Sequence, residues 1–241
     1  MATYFIGDVH LPTDRTHVTA LLEHFLRRIG GNAEALYILG DLFEVWLGDD
    51  VSPQHYQAVI QALRHTAQQN TPVYLMHGNR DFLVGERLAN AAACQIITDP
   101  LIINLYGHRT LLTHGDTLCT DDVTYQKYRA GVRDTLWQQK FLSLSPSERE
   151  AAAALYREES KKQTAAKSAE IMDVNQQAVR EMMKQHDVTR LIHGHTHRPG
   201  IHNFFIDDHP AQRYVLGDWH SMGSALRCDP KNWELETFAA E

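Results

Sequence analysis

The chain has 241 residues, enough to bury a full core, and one domain with a sizeable insertion is the expected organisation. Apolar residues make up 43% and charged residues 22%, and no apolar run reaches the ~18 residues of a membrane span. A net charge of −7 argues against a nucleic-acid surface, and three cysteines without paired spacing argue against a disulfide framework or a thiolate zinc site.

Met1-Ala2-Thr3-Tyr4-Phe5 has no basic stretch and runs into a strand at 3–7, so no signal peptide is expected there. A helix follows over about 16–29, with Val18, Leu21, Leu22, Phe25 and Leu26 on one face. Next come a strand at 36–39, a helix near 54–69, a strand at 73–76 and a helix around 81–92. This βαβαβ rhythm predicts parallel strands with right-handed crossovers and an α/β fold. Ligands of such sheets gather outside the carboxyl ends of the strands. From 96 to 113 the pattern changes to short strands, with Tyr106-Gly107-His108 as a hairpin turn, and strands resume at 190–192, 201–206, 213–217 and 224–237. The stretch between, 121–187, is rich in Ala, Lys, Arg, Glu and Gln with balanced charge. It reads as a helical cap inserted into a core made of 1–120 and 188–241.

Five short blocks carry the chemistry: Gly-Asp-Val-His (7–10), Gly-Asp (40–41), Gly-Asn-Arg-Asp (78–81), His-Gly-Asp (114–116) and Gly-His-Thr-His (194–197). Each follows an expected strand. Any one alone is more simply a capping Asp, a turn Asn or a satisfied buried His; the set of five is not. Five such strand ends can converge on one edge of a sheet and build a cage for two metal ions. Asp8 and His10, two residues apart at a strand end, are expected on the same side. Asp41 can bridge two cations, Asn79 offers an amide oxygen, and His114, His195 and His197 offer imidazole nitrogen. Carboxylate, amide and imidazole without thiolate suit Mn, Fe or Zn. Two divalent ions against two carboxylates leave local positive charge, which attracts phosphate or diphosphate, so metal-assisted hydrolysis of a phosphorus ester or anhydride is the reaction class. His77 and His193 read as supports of the site, His17, His24, His55 and His65 as solvated, and Asp218 and His220 as structural.

The pattern Asp-x-His, Gly-Asp, Gly-Asn-x-Asp, His, Gly-His-x-His resembles the calcineurin-like metallophosphoesterases. Most of that superfamily has His after the Asn, whereas this chain has Arg80. The superfamily His is viewed as protonating an alkoxide leaving group. A diphosphate needs no such help, and an Arg can hold phosphoryl oxygens in a bidentate fork instead. The blocks 78–83, 114–122, 171–176 and 193–199 are similar to the diphosphatase family of bacterial lipid A biosynthesis, over essentially the whole chain. That resemblance implies an αββα sandwich of mixed sheets with an inserted helical cap. It also implies a lipid-linked sugar nucleotide substrate, UDP-2,3-diacylglucosamine, with water attack on the α-phosphorus giving UMP and 2,3-diacylglucosamine 1-phosphate. Two Mn²⁺ ions are implied, one held by Asp8, His10, Asp41 and His197 and the other by Asp41, Asn79, His114 and His195. Asn79, Arg80 and His195 would face the substrate as catalytic groups, and Asp122, Ser160 and Lys167 would hold its glucosamine and phosphate portion. Thr164 stands where relatives have Asn; a hydroxyl replaces only part of an amide's hydrogen bonding. Peripheral attachment to the cytoplasmic face of the inner membrane is implied, without nucleic acid or an obligate protein partner.

The apolar stretch Leu136-Trp137 through Phe141-Leu142 and Leu144 could line an acyl groove, with Arg129, Arg133 and Lys140 meeting anionic headgroups. On periodicity alone, ordinary helix packing is an equal reading. The rivals are a nuclease or protein phosphatase of the same superfamily, and a binding module whose metals are structural. A nuclease wants a basic groove and stacking platforms, a phosphatase the missing His, and a structural site fewer open positions.

Overall fold

The strand periodicities resolve into two stacked sheets. The computed structural model describes residues 1–14, 17–165 and 171–239, the side chains of 159–165 excepted. In the first half, β1 (Ala2–Ile6), α1 (His17–Ile29), β2 (Ala33–Leu39), α2 (Gln57–Gln68), β3 (Val73–Met76), α3 (Glu86–Ala92) and β4 (Gln95–Ile97) alternate as a parallel unit. Near the C-terminus β10 (Gly223–Cys228) and β11 (Trp233–Phe238) add antiparallel strands beside β1, giving the order β11-β10-β1-β2-β3-β4. A second sheet joins β5 (Leu101–Leu105), β6 (His108–Thr113), β7 (Arg190–His193), β8 (Gly200–Ile206) and β9 (His209–Val215) in the order β5-β6-β7-β9-β8, with parallel and antiparallel neighbours mixed.

Strand alternation builds three apolar layers. Phe5, Leu39, Met76, Leu112, Ile192 and Leu226 point between the sheets. The neighbours Ile6 and Ile38 turn outward onto α1 and α2, while Leu111 and Leu191 turn to the other outer face. Helix α1 covers its sheet because Leu21, Leu22, Phe25, Leu26 and Ile29 recur at helical spacing, and it stops where Gly31 enters a left-handed conformation at φ 74°.

Between the core blocks lie α4 (Val123–Val132), α5 (Thr135–Ser143), α6 (Pro146–Ala165) and α7 (Gln176–Gln185). Asp122, Asp134 and Asn175 cap α4, α5 and α7 by accepting backbone N–H bonds. Ser145 and Glu148 form a capping box for α6, the Glu148 carboxylate accepting from Ser145 N at 2.8 Å. The last helix differs from the other three: Val179 and Met183 of α7 are buried with Leu111 and Leu191. This part of the expected 121–187 cap therefore packs on the second sheet as the outer layer of the core. The result is helix, sheet, sheet, helix, with α4–α6 standing apart.

Three expectations change. The helix expected over 81–92 begins only at Glu86, because Asp81 turns its carboxylate inward to accept from the N–H groups of Gly78 (2.8 Å), Asp41 (3.3 Å), Leu42 (2.8 Å) and Phe43 (3.4 Å). The strand expected over 224–237 splits at a turn where Asp229 accepts from Lys231 N and Asn232 N. The five blocks lie at the ends of two sheets, not along one edge: β1, β2 and β3 supply three and β6 and β7 supply two.

Candidate metal centre

At that common end the structure brings Asp8, His10, Asp41, Asn79, His114, His195 and His197 together. Ligand atoms of Asp8, His10 and His197 lie within 4.8 Å of one another, as do those of Asp8, Asp41 and His114. Asp41 Oδ2 stands between two imidazoles, 3.7 Å from His10 Nε2 and 3.9 Å from His114 Nε2. Asn79 Oδ1 lies 3.0 Å from His114 Nε2 and 2.9 Å from His195 Nδ1.

Strand alternation does not explain the convergence. Asp8, His10, Asp41, His195 and His197 all have left-handed backbones, with φ between 51° and 69°. This conformation is uncommon for side chains other than glycine, and five at one site are held only because the surroundings over-determine them. Backbone pairing beyond the strands does this: Asp8 N donates to Gly40 O at 3.2 Å, His10 N to Asp41 O at 2.9 Å and Leu11 N to Leu42 O at 2.9 Å. Side chains add to it, since Asp8 Oδ2 accepts from His195 N and Asp41 Oδ1 from Arg80 N, both at 2.8 Å. Glycine is needed where carboxylates approach backbone: a Cβ on Gly78 would sit 2.0 Å from Asp41 Oδ1, and one on Gly194 2.5 Å from Asp8 Oδ2.

The polar pairing of this cluster is incomplete in a way that fits a cation. His114 Nδ1 donates to Leu39 O at 2.9 Å, which leaves Nε2, facing the Asn79 carbonyl oxygen at 3.0 Å, as the nitrogen that can take a cation in exchange for its proton. His10 Nδ1 faces Glu44 Oε2 at 3.0 Å and His197 Nδ1 faces Asp218 Oδ2 at 3.3 Å, which turns their two Nε2 atoms toward each other at 3.2 Å. Asp8 Oδ1 is buried without a hydrogen-bond partner. Carboxylate, amide and imidazole ligand atoms converging on one place, one carboxylate oxygen among them without a hydrogen bond, suit a divalent cation.

The electrostatics agree. Burial pushes the Asp41 carboxyl up to about 6. Burial opposes charge on His114, but Asp41, Asp116 and Asp8 outweigh it and hold that imidazole at about 9. Burial and the charge of His114 keep His195 neutral, down at about 4. Behind it His193, pushed down to about 3 by burial and Arg213, donates Nδ1–H to Gly194 O at 2.8 Å and accepts from Arg213 at 3.3 Å. It supports the loop and stands outside the ligand set, as does His77, bonded to Val84 O at 2.7 Å.

A cavity of about 430 Å³ opens onto the cluster. His10, Asp41, Asn79 and His195 line its floor together with Arg80 and Asp122; Trp46, Phe82, Trp137, Phe141 and Tyr156 form an aromatic wall. Trp137 stacks on Phe141 with ring centroids 5.1 Å apart. Of the apolar stretch expected to line a groove, Leu136, Leu142 and Leu144 turn out to solvent instead, leaving Trp137 and Phe141 on the wall. Arg129 and Arg133 are likewise not free for headgroups. Arg129 donates to the buried Asp116 at 2.7 Å, and Arg133 donates to Gly78 O at 2.8 Å while lying 5.2 Å over the Phe82 ring. The side chains of Ser160 and Thr164, and the whole of Lys167, fall outside the described residues.

Sequence reasoning missed Glu44 and undervalued Asp218, the carboxylates behind His10 and His197. Such outer partners fix the tautomer and orientation of a ligating imidazole. Each left a trace: Glu44 is a lone charge inside Leu42-Phe43-Glu44-Val45-Trp46-Leu47, and Asp218 follows Leu216-Gly217 in the same apolar-Gly-Asp form as the ligand blocks.

Residues 1–199 match the family model of the calcineurin-like phosphoesterases. The chain belongs to that family. Like other calcineurin-like phosphoesterases it presents an Asp/His cluster suited to divalent metal. Two relatives named UDP-2,3-diacylglucosamine hydrolase are similar over nearly the full length. The protein of Nitrosococcus oceani is 48% identical, covering 98% of this chain and 94% of its own. That of Aeromonas hydrophila is 46% identical over 99% of both. A solved archaeal phosphodiesterase superposes with a TM-score of 0.53 at 15% identity, over 99% of this chain and 100% of its own, and shares the fold.

Proposed function

We propose that this phosphoesterase hydrolyses the diphosphate bond of UDP-2,3-diacylglucosamine, giving UMP and 2,3-diacylglucosamine 1-phosphate, with water attacking the α-phosphorus. The observation that carries this reading is the two-sided cavity: a floor of metal-ligand side chains and Arg80 meets an aromatic wall. A lipid-linked diphosphate has that same division between charge and hydrocarbon. The names of the two relatives point to the same substrate.

Asp8, His10, Asp41 and His197 would hold one cation, and Asp41, Asn79, His114 and His195 another, Mn²⁺ suiting this donor set. Bound there, divalent cations supply Lewis-acid polarisation of phosphoryl oxygens and an acidified water. The chain's own groups do the rest. Arg80 offers a planar fork to phosphoryl oxygens. No imidazole follows Asn79, in keeping with a phosphate leaving group that departs without a proton. Neutral His195, pinned through its backbone N to Asp8, keeps its ring over the floor of the cavity. Asp122 lines the same floor; Ser160, Thr164 and Lys167, whose side chains lie outside the described residues, would add the contacts to glucosamine and phosphate that the family resemblance implies. Trp137, Phe141, Phe82 and Trp46 shelter the acyl chains and exclude water.

Among the described residues no helix is long and apolar enough to cross a membrane. Peripheral attachment to the cytoplasmic face of the inner membrane is supported by Leu136 and Leu155, 67% and 68% exposed on the cap helices. Chelation followed by Mn²⁺ restores UMP release from UDP-diacylglucosamine in this account, while a single-stranded oligonucleotide and a phosphopeptide stay intact. Hydrolysis in ¹⁸O-water places the label in UMP; label in the lipid phosphate would contradict attack at the α position.

A further inference from the structure

Glu44 touches both halves of the cavity floor. Its backbone is fixed by continued pairing of the first two ligand loops: Glu44 N donates to Leu11 O at 2.9 Å, beside an isolated bridge between Leu11 and Phe43. From there Oε2 reaches His10 Nδ1 at 3.0 Å, and Oε1 stands 3.8 Å from Arg80 Nη1. The Arg80 backbone, in turn, is tied to the ligand Asp41 through its N–H at 2.8 Å. Among the described residues, the corresponding carboxylate behind His197, Asp218, pairs otherwise with the exposed His220, at 3.6 Å. Glu44 is thus set apart by holding a ligating imidazole on one oxygen and a cavity-lining guanidinium on the other.

An ion pair at 3.8 Å between side chains about a third exposed has little intrinsic worth. What gives this one consequence is the shared carboxylate. The hydrogen bond from His10 Nδ1–H holds one oxygen in place, so the other meets Arg80 from a fixed position and not from a mobile side chain. The same bond keeps a proton on His10 Nδ1 and turns Nε2 toward Asp41 and His197.

We propose that Glu44 is a positioning residue that joins the two functions of the floor: through Oε2 it sets how tightly His10 can hold a cation, and through Oε1 it sets where Arg80 meets a phosphoryl group. The proposal rests on the metal-dependent phosphoester reading but not on the identity of the lipid substrate. It assigns a role to a residue that touches no reacting atom.

Two measurements separate the two oxygens, and neither needs turnover. In the first, metal-stripped protein is titrated with Mn²⁺, free ion being read by electron paramagnetic resonance. Glu44→Ala leaves His10 Nδ1–H without an acceptor and weakens Mn²⁺ binding about 10- to 100-fold, whereas Glu44→Gln keeps an acceptor oxygen and stays within about threefold of the parent. Should Glu44→Ala fail to fold by circular dichroism, Glu44→Asp, a methylene short of His10, carries the same arm. Parent-like Mn²⁺ affinity in the folded variant overturns the Oε2 role.

In the second, the Mn²⁺-loaded protein is titrated with inorganic phosphate in a cycle of Glu44→Gln, Arg80→Ala and the double variant. Glu44→Gln changes the phosphate Kd by about threefold or more when Arg80 is present and leaves it unchanged when Arg80 is absent. An equal change in both backgrounds overturns the Oε1 role. A protein that passes both arms yet leaves UDP-diacylglucosamine intact refutes the substrate assignment and leaves the Glu44 assignment standing.

Discussion

The metal-ligand end and the cap are built on opposite principles. At the ligand end, seven side chains come from five loops of two sheets, and Asp8, Asp41 and His114 are at most 2% exposed. Left-handed backbones, inter-loop hydrogen bonds and close carboxylate-to-glycine contacts fix their positions. The cap is mostly surface. In α4 and α5 the buried residues are Val132 and Phe141 alone. It is fastened to the core by arginines: Arg149, which braces the cap itself through Leu142 O and Leu144 O, donates to Leu47 O and forks onto Asp50 of the core, while Arg129 and Arg133 reach Asp116 and Gly78 O. One region spends conformational freedom to place charges; the other covers a groove with few buried contacts and a handful of directed bonds. A phosphoester site needs the first, and a lipid that must enter and leave needs the second.

The largest expected effect follows from removing the shared ligand. Asp41→Asn should abolish metal retention and turnover, and the metal-free variant should melt higher than the metal-free parent, because burial, which pushes the Asp41 carboxyl up to about 6, no longer acts on a charge. Metal analysis and thermal melts read this; a lower melting temperature would mean that Asp41 serves the fold more than the ion. On the cap side, Arg149→Met leaves Leu47 O and Asp50 of the core and two carbonyls within the cap without their donor, and should cost about 3 kcal/mol in cap packing and docking together. Hydrogen exchange should rise across 123–158 and stay unchanged in the parallel strands, and a uniform rise would deny the cap its separate attachment.

Proton competition gives a smaller effect confined to the ligand end. His114, held at about 9, must lose its proton to bind metal, so Mn²⁺ affinity falls as pH drops below that value, by about tenfold per unit. Below about 6 Asp41 adds a second proton and the slope steepens. Titrations at several pH values check the sign, and affinity that rises on acidification would contradict it. The smallest effect should come from Trp137→Glu: about tenfold or more off kcat/KM for the diacyl substrate, with a short-chain analogue nearly unaffected. Equal losses on both would remove the acyl-groove role of the aromatic wall.

A single sequence displays the two regions unequally. The ligand blocks were legible because glycine and a metal-ligating residue after an apolar strand is a local signature, repeated five times. The parallel unit from β1 to β4 was legible through helix and strand periods. The left-handed conformations were not, since they come from loop-to-loop pairing between Gly40, Asp41 and the Asp8–Leu11 segment. Helix α7 was grouped with the cap because its composition matches its neighbours, and only its stripe of Val179 and Met183 against β6 and β7 separates it. Arg129 and Arg133 read as cations free to meet headgroups because their partners, Asp116 and the Gly78 carbonyl, lie in other blocks. Glu44 carried no motif at all; its meaning arises where it meets His10 and Arg80.

The proposed chemistry needs a pair of cations gripped at the junction of two sheets. Anomalous diffraction at the manganese edge, on crystals of the active Mn²⁺-loaded protein, tests it most directly. Two peaks flanking Asp41 are predicted, one toward His10 and His197 and the other toward His114 and Asn79. An active crystal with no peak beside Asp41, or with manganese bound only elsewhere on the surface, would contradict it.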